Sequence, residues 1–257
     1  MFKAIPLFSG SSGNCVYVKY KDEEILIDAG VSFKKICASL DSIGTSIQNI
    51  SALLVTHEHS DHVSGIPVLS RHTDIPIYIN RNSASFYDLP LSELFEGHTK
   101  IKDVGDTITF DGFEVNVFAT PHDSVGSCGY HFTFSDGTRF ALATDIGHIT
   151  SEISSYLLGC KSIIIESNHD IKMLKNGPYP YTLKKRILSD HGHLSNDACA
   201  EFLPKLVDSG AEKIILAHLS DENNTPELCY NTNAASLADA GFTPSDVKLS
   251  VAMRSII

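Results

Sequence analysis

The chain has 257 residues and a formal net charge of −11, with 42% hydrophobic and 20% charged residues. This balance suits a folded protein with a sizeable core and speaks against binding nucleic acid through overall charge, while leaving room for a local basic groove. No apolar stretch reaches the roughly 20 residues of a bilayer span, and residues 1–6 lack the long apolar centre and cleavage site of a secretion signal, so the expectation is a cytoplasmic protein without a membrane partner.

In chain order, residues 15–20 and 24–28 read as short strands around the turn residues Lys21-Asp22-Glu23. Helical spacing follows at Phe33, Ile36, Cys37 and Leu40. The apolar run 50–55 reads as a buried strand, and residues 63–72 as a helix. Further strands are expected at 107–110, 113–119, 130–134 and 139–143, with hairpin turns at Asp111-Gly112 and Asp136-Gly137. The second half alternates: helix 149–158, strand 162–165, helix 183–188, helix 196–208, strand 213–217, helix 226–240 and strand 247–251. Ser195 suits an N-cap, and Gly210 sits where that helix should stop. No linker or repeat interrupts the chain, so residues 1–257 read as one domain. Strands that cluster and then mix with helices suggest sheets packed face to face with helices outside.

The densest chemical signal is Thr56-His57-Glu58-His59-Ser60-Asp61-His62, directly after the strand at 50–55. Three imidazoles and a carboxylate leave one strand end together. Imidazole nitrogen and carboxylate oxygen suit zinc, manganese or iron, and this cluster with distant partners could hold two ions. Three other strands end in such groups: His122 after 113–119, Asp145 after 139–143 and His218 after 213–217. Each alone is weak, because a polar residue after a strand is usually a turn residue or a cap. The ordered set of four is strong. The six cysteines are scattered singly with no CxxC pair, which indicates neither a cysteine zinc site nor a disulfide framework.

This ordered set resembles the metallo-β-lactamase superfamily. HxHxDH matches at His57, His59, Asp61 and His62, and Asp28 looks like the family's early structural aspartate. The resemblance implies an α+β fold, a four-layer αβ/βα sandwich, with two divalent transition-metal ions at one edge. It assigns His57, His59 and His122 to one ion, Asp61, His62 and His218 to the other, and Asp145 to a bridge. Two such ions lie roughly 3.5–4 Å apart and can lower the pKa of bound water from 15.7 to about 7, which implies a metal-bridging hydroxide oriented by Asp61. Oxygen-reducing diiron relatives carry glutamate where this chain has His59.

Two finer resemblances bear on substrate. The succession Glu166-Ser167-Asn168-His169-Asp170, Gly192-His193-Leu194-Ser195-Asn196 and Leu216-Ala217-His218-Leu219-Ser220 looks like the phosphodiesterase branch, which includes tRNA 3′-processing endonucleases. There the histidine corresponding to His193 touches the scissile phosphate or the leaving oxygen. With Gly10-Ser11-Ser12-Gly13-Asn14 and residues 176–181 added, the pattern is similar to the bacterial YycJ/WalJ-like family, described as 5′-to-3′ DNA exonucleases. The large insertion of β-CASP nucleases and the flexible arm of tRNA-processing enzymes are not evident in the sequence.

Residues 171–189 carry Lys172, Lys175, Lys184, Lys185 and Arg186 with Tyr179 and Tyr181 and no acid. Such a run can hold phosphates and stack a base; a solvated helix face fits it equally by composition. Ser12 and Asn14 could present amides and side chains to a phosphate, or form a plain tight turn. His148, three residues after Asp145, could support the ligands or cap a helix. Asn168 and His169, beside the basic run, are expected to contact substrate.

The leading expectation is a two-metal phosphodiesterase or nuclease, with Asp61 and His193 catalytic, Ser12, Asn14, Asn168, His169, Lys184 and Lys185 at the substrate, and DNA favoured over RNA as partner. The alternatives are a hydrolase of a small acyl, thioester or phosphoester metabolite, and a regulatory partner-binding protein without turnover. The intact ligand set argues against the last.

Overall fold

Each of the predicted strands forms, in a computed structural model that describes residues 2–86 and 98–257. The chain groups into two compact units: Met1–Val117 with Ser124–Cys128 and Met253–Ile257, and Phe118–Asp123 with Gly129–Ala252. Among the described residues no helix is long and apolar enough to cross a membrane.

In the first unit, β1 (Lys3–Phe8), β2 (Cys15–Tyr20), β3 (Glu23–Ile27), β4 (Ile50–Leu54), β5 (Ile77–Ile79) and β6 (Thr99–Ile101) lie side by side in sequence order. The pairs β1–β2 and β2–β3 are antiparallel; β3 to β6 run parallel. Helices α1 (Phe33–Ser42), α2 (Ser60–Val63), α3 (Ile66–His72) and α4 (Arg81–Phe86) follow the parallel strands. Ile36 and Leu40 of α1 and Ile66 and Leu69 of α3 share one core with Leu26, Leu53 and Ile77 of the sheet. Strands β7 (Thr107–Phe110) and β8 (Phe113–Ala119) pair antiparallel through the predicted Asp111-Gly112 turn, where Gly112 has φ 85°.

One helix differs from expectation. The run 63–72 is divided at Gly65, which caps α3. A Cβ there would lie 2.2 Å from the Val31 carbonyl oxygen, so the backbone approach that seats the metal-type loop requires glycine.

In the second unit, β9 (Cys128–Phe134) and β10 (Arg139–Ala143) pair antiparallel. After α5 (Ser151–Leu157), β11 (Ser162–Glu166) lies parallel to β10. Short helices α6 (Ile171–Asn176) and α7 (Tyr181–Ile187) precede α8 (Asn196–Asp208), capped as expected by Ser195. Strand β12 (Lys213–Ala217), helix α9 (Pro226–Asp239) and strand β13 (Lys248–Val251) complete the unit. Both β11–β12 and β12–β13 pair parallel. The continuous apolar runs of β10 to β12 are those of strands covered on both faces. Ile163, Ile165, Ile214 and Leu216 pack with Ile153 and Leu157 of α5, Leu203 and Leu206 of α8, and Leu237 of α9.

Parallel neighbours end in the same direction, so the sheets decide which side chains meet. Ile27 is registered with Leu54, which places Asp28 beside the loop after β4. Ala143 is registered with Ile165 and Glu166 with Ala217, which brings Asp145, Glu166 and His218 out at one edge.

Candidate metal centre

In the first unit the loop from Thr56 to His62 is wired to Asp28. The Thr56 amide donates to Asp28 Oδ1 at 2.8 Å, and the Thr56 hydroxyl reaches Oδ2 at 2.9 Å. His62 Nδ1 lies 2.8 Å from Asp28 Oδ2, so Nδ1–H donates to the carboxylate and Nε2 is the nitrogen able to hold a metal ion. Histidines 57 and 62 are fully buried, with ring centroids 4.1 Å apart, and the His59 ring is 4.6 Å from that of His57. Glu58 points elsewhere: its carboxylate accepts from the Ser83 and Ser124 hydroxyls and the Val125 amide. Burial works against that charge, yet these donors outweigh it and hold the carboxyl below the usual range.

In the second unit a carboxylate again organises imidazoles. Glu166 has no solvent exposure. Its Oε1 accepts from His193 Nδ1 and His218 Nδ1, each at 2.8 Å. Its Oε2 accepts from the amides of Ile146 and Leu194 at 2.9 and 3.0 Å. Burial disfavours its charge, but both imidazoles overcome this and its pKa falls. For His193, burial pushes toward the neutral ring, while the Glu166 charge and hydrogen bond win and raise its pKa. His122 donates from Nδ1 to the Gly192 carbonyl at 3.1 Å, and its Nε2 is 3.8 Å from Asp145 Oδ1. Burial lowers the His122 pKa, which favours the neutral, coordinating form.

These details fit a metal centre. A ligating histidine characteristically donates its second nitrogen to a carboxylate or carbonyl, and His62, His122 and His218 all do so. Asp145, Glu166, His193 and His218 each offer a ligand-type atom, all within 4.8 Å of one another. Glu166 already accepts four donors, so orienting its neighbours is its part in that cluster. Left-handed backbone marks the same places: Asp28, Asp145 and His218 have φ of 62°, 56° and 56°. Such a conformation costs roughly 1–2 kcal/mol per residue and collects at functional sites.

The residues expected at substrate take varied positions. Ser12 is exposed. The Asn14 side-chain amide lies 3.3 Å from Asp61 Oδ2 and 3.1 Å from His62 Nε2, a geometry that positions the loop. Asn168 is buried and donates to the His218 carbonyl at 2.7 Å, which supports that residue's strained backbone. His169 is buried, and burial takes its pKa down to about 4. Lys184 is spent on the main chain, donating to the carbonyls of Lys175 and Gly177 at 2.8 and 2.7 Å. Lys185 and Tyr181 are exposed, and Arg186 pairs with Asp123. His148 is exposed and its Nδ1 lies 3.0 Å from the Asp190 carbonyl, so neither ligand support nor helix capping describes it.

Glu166 has no role in the sequence-level expectations beyond its motif. Its signal was an acid closing the apolar strand Ser162–Glu166. A buried amide knot was equally unforeseen: Asn224 donates to Asn196 Oδ1 and to the Ser167 and Asn168 carbonyls at 2.9–3.0 Å, and Asn233 donates to the Ser167 hydroxyl at 3.1 Å.

A family model described as the Metallo-beta-lactamase superfamily matches residues 9–218. The chain is 38% identical over 241 residues to the exodeoxyribonuclease WalJ of Streptococcus pneumoniae serotype 2, covering 93% of this chain and 89% of the relative. It is 36% identical over 236 residues to the exodeoxyribonuclease YycJ of Bacillus anthracis, covering 92% and 89%. Among solved structures, the metallo-beta-lactamase fold protein YhfI from Bacillus subtilis matches with a TM-score of 0.73 at 14% identity, covering 99% and 98% of the two chains. Zinc-bound PqqB from Methylobacterium extorquens matches with a TM-score of 0.72 at 16% identity, covering 100% and 99%. The α+β fold expected from the sequence is shared with these structures over the whole chain.

Proposed function

This chain belongs to the metallo-beta-lactamase superfamily of metal-dependent hydrolases, and we propose that it is a two-metal phosphodiesterase acting on DNA as a cytoplasmic exodeoxyribonuclease. The observation that carries the reading is the carboxylate shared by His193 and His218. It aims one imidazole as a ligand and raises the pKa of the other beside it. The exodeoxyribonuclease relatives at 36–38% identity support DNA as the substrate.

In this reading the two units work as one domain, as the continuous family match over residues 9–218 supports. His57, His59 and His122 would hold one ion and Asp61, His62 and His218 the other, with Asp145 shared between them. The N/O donor set suits zinc or manganese, with iron compatible. When bound, two such ions lower the pKa of water and neutralise charge on the phosphate. The chain's own residues supply the rest. Asp61, with its side chain 24% exposed, orients the attacking water. His193 holds Nδ1 against Glu166 and delivers a proton from Nε2 to the leaving oxygen. Water's oxygen joins phosphorus as the water releases one proton to solvent, the phosphorus–O3′ bond breaks, and the released O3′ takes the His193 proton, which solvent then restores. Lys185 and Tyr181 on α7 track the strand.

Turnover of end-labelled single- and double-stranded DNA, RNA and bis-p-nitrophenyl phosphate with zinc or manganese tests the proposal. Release of deoxynucleotides from a DNA end is expected. Hydrolysis confined to an acyl, thioester or small phosphoester substrate would replace it with the small-substrate reading.

A further inference from the structure

One carboxylate joins the Arg186 guanidinium to the side chains of the second unit's centre. Arg186 Nε pairs with Asp123 Oδ2, and Asp123 Oδ1 lies 3.2 Å from His122 Nε2, the nitrogen left for a metal ion. The His122 ring lies 5.0 Å from that of His193. All four residues belong to the second unit. Main-chain packing fixes the same approach. The His193 amide donates to the Ile187 carbonyl at 3.0 Å, and the Gly192 carbonyl accepts from His122 Nδ1 at 3.1 Å. A Cβ on Gly192 would lie 2.1 and 2.4 Å from the Ile187 and Arg186 carbonyl oxygens. The end of α7 is thus pressed against the loop that carries His193.

Those contacts, with the buried Ile187 side chain, already seat α7. The Arg186 side chain is 56% exposed, and an exposed ion pair adds little to stability. Anchoring the helix is therefore a weak reason for an arginine to reach back to the His122 loop. Its chemistry offers a stronger one. Asp123 engages Nε alone, and neither terminal amino group has a hydrogen-bond partner among the described residues. A guanidinium held at one edge still presents donors in a planar fork, which matches the oxygens of a phosphoryl group. An acyl or thioester carbonyl has no such set of anionic oxygens. We infer that Arg186 binds phosphate in this site: Asp123 holds its Nε, and its terminal amino groups grip the oxygens of the scissile phosphodiester. The inference rests on the phosphodiesterase reading and deepens it, because an anionic phosphoryl group becomes the feature that selects the substrate.

Metal-loaded Arg186→Ala and Arg186→Lys are compared with the parent in turnover of bis-p-nitrophenyl phosphate and in calorimetric titration with inorganic phosphate. Lysine keeps a charge for Asp123 and loses the fork. Both variants should retain the parent's metal content. In each, kcat/KM should fall about tenfold or more, and phosphate affinity about tenfold. Free guanidinium ion should restore part of the turnover of R186A and leave that of the parent unchanged. A residue that only seats α7 would instead lower the melting temperature and leave kcat/KM and phosphate affinity at the parent's values, which would overturn the inference. If R186A does not fold, R186K decides by the same two measurements. Weakened phosphate binding in a protein that cleaves no DNA would remove the nuclease reading and leave the role of Arg186 standing. DNA cleavage with parent-like phosphate affinity in both variants would do the reverse.

Discussion

Nδ1 of His193 lies 2.8 Å from Oε1 of Glu166, a carboxylate sealed from solvent. Burial alone favours the neutral ring, while the adjacent charge and hydrogen bond outweigh it and raise the His193 pKa, in the direction its proposed role as proton donor requires. Because the same oxygen also accepts from His218 Nδ1, Glu166 orients both the proposed proton donor and a proposed metal ligand.

Glu166→Gln therefore tests more than charge. An amide can accept only at its oxygen, so its NH₂ would face donors at one end. Metal affinity or turnover should fall roughly 10- to 100-fold. Elemental analysis and steady-state kinetics on the purified variant check this, and undiminished values in both would show that Glu166 is only packing.

Asp61→Asn isolates water orientation from folding. The side chain is partly exposed, and Asn14 can still bond its main-chain carbonyl. The melting temperature should hold while kcat drops by about 10² or more. Full turnover in a correctly metallated variant would remove Asp61 from catalysis.

His193, Lys185 and Lys184 should separate cleanly in kinetics. His193→Ala should keep the metal and lower kcat about 10²-fold or more. Lys185→Ala should raise KM and flatten the salt dependence of DNA binding. Lys184→Ala should instead cost stability, on the order of 1 kcal/mol, since its ammonium holds the carbonyls of Lys175 and Gly177. A salt series on one DNA substrate, with thermal melts of all three, distinguishes these outcomes.

The strands and the metal-type loop were legible because hydrophobic period and ligand spacing are local signals. Histidines 57, 59 and 62 needed only adjacency, whereas Asn14 and Asn168 needed the fold. Nothing local tells an amide that touches a phosphate from one that props up His218. Strands β5 and β6, three residues each, are too short to show a period. Glu166 was hidden because an acid ending a strand is normally a solvated turn residue, and only the registered parallel sheet encloses it.

A pH signature remote from the centre is expected at Glu24. Burial opposes its charge, but hydrogen bonds from Lys19, Thr45 and Tyr17 prevail and lower its pKa. A carboxyl lowered below its unfolded value of about 4.3 adds stability above that value and loses it as pH falls through the folded pKa. The parent should thus melt above Glu24→Gln at pH 7, with the gap closing as pH is lowered past about 4. A constant gap from neutral to acid pH would reject the linkage.

The left-handed residues Asp28, Asp145 and His218 pose conflicting demands on any evolving sequence. Glycine at each would relax the main chain, and each relaxation would erase a proposed ligand or its support. A library saturated at position 218 should consequently rank its members in one order when selected for soluble yield and in nearly the opposite order when selected for turnover. Drift toward easier folding is blocked at these three codons, which makes them places where the protein keeps a memory of its chemistry at the expense of its own robustness.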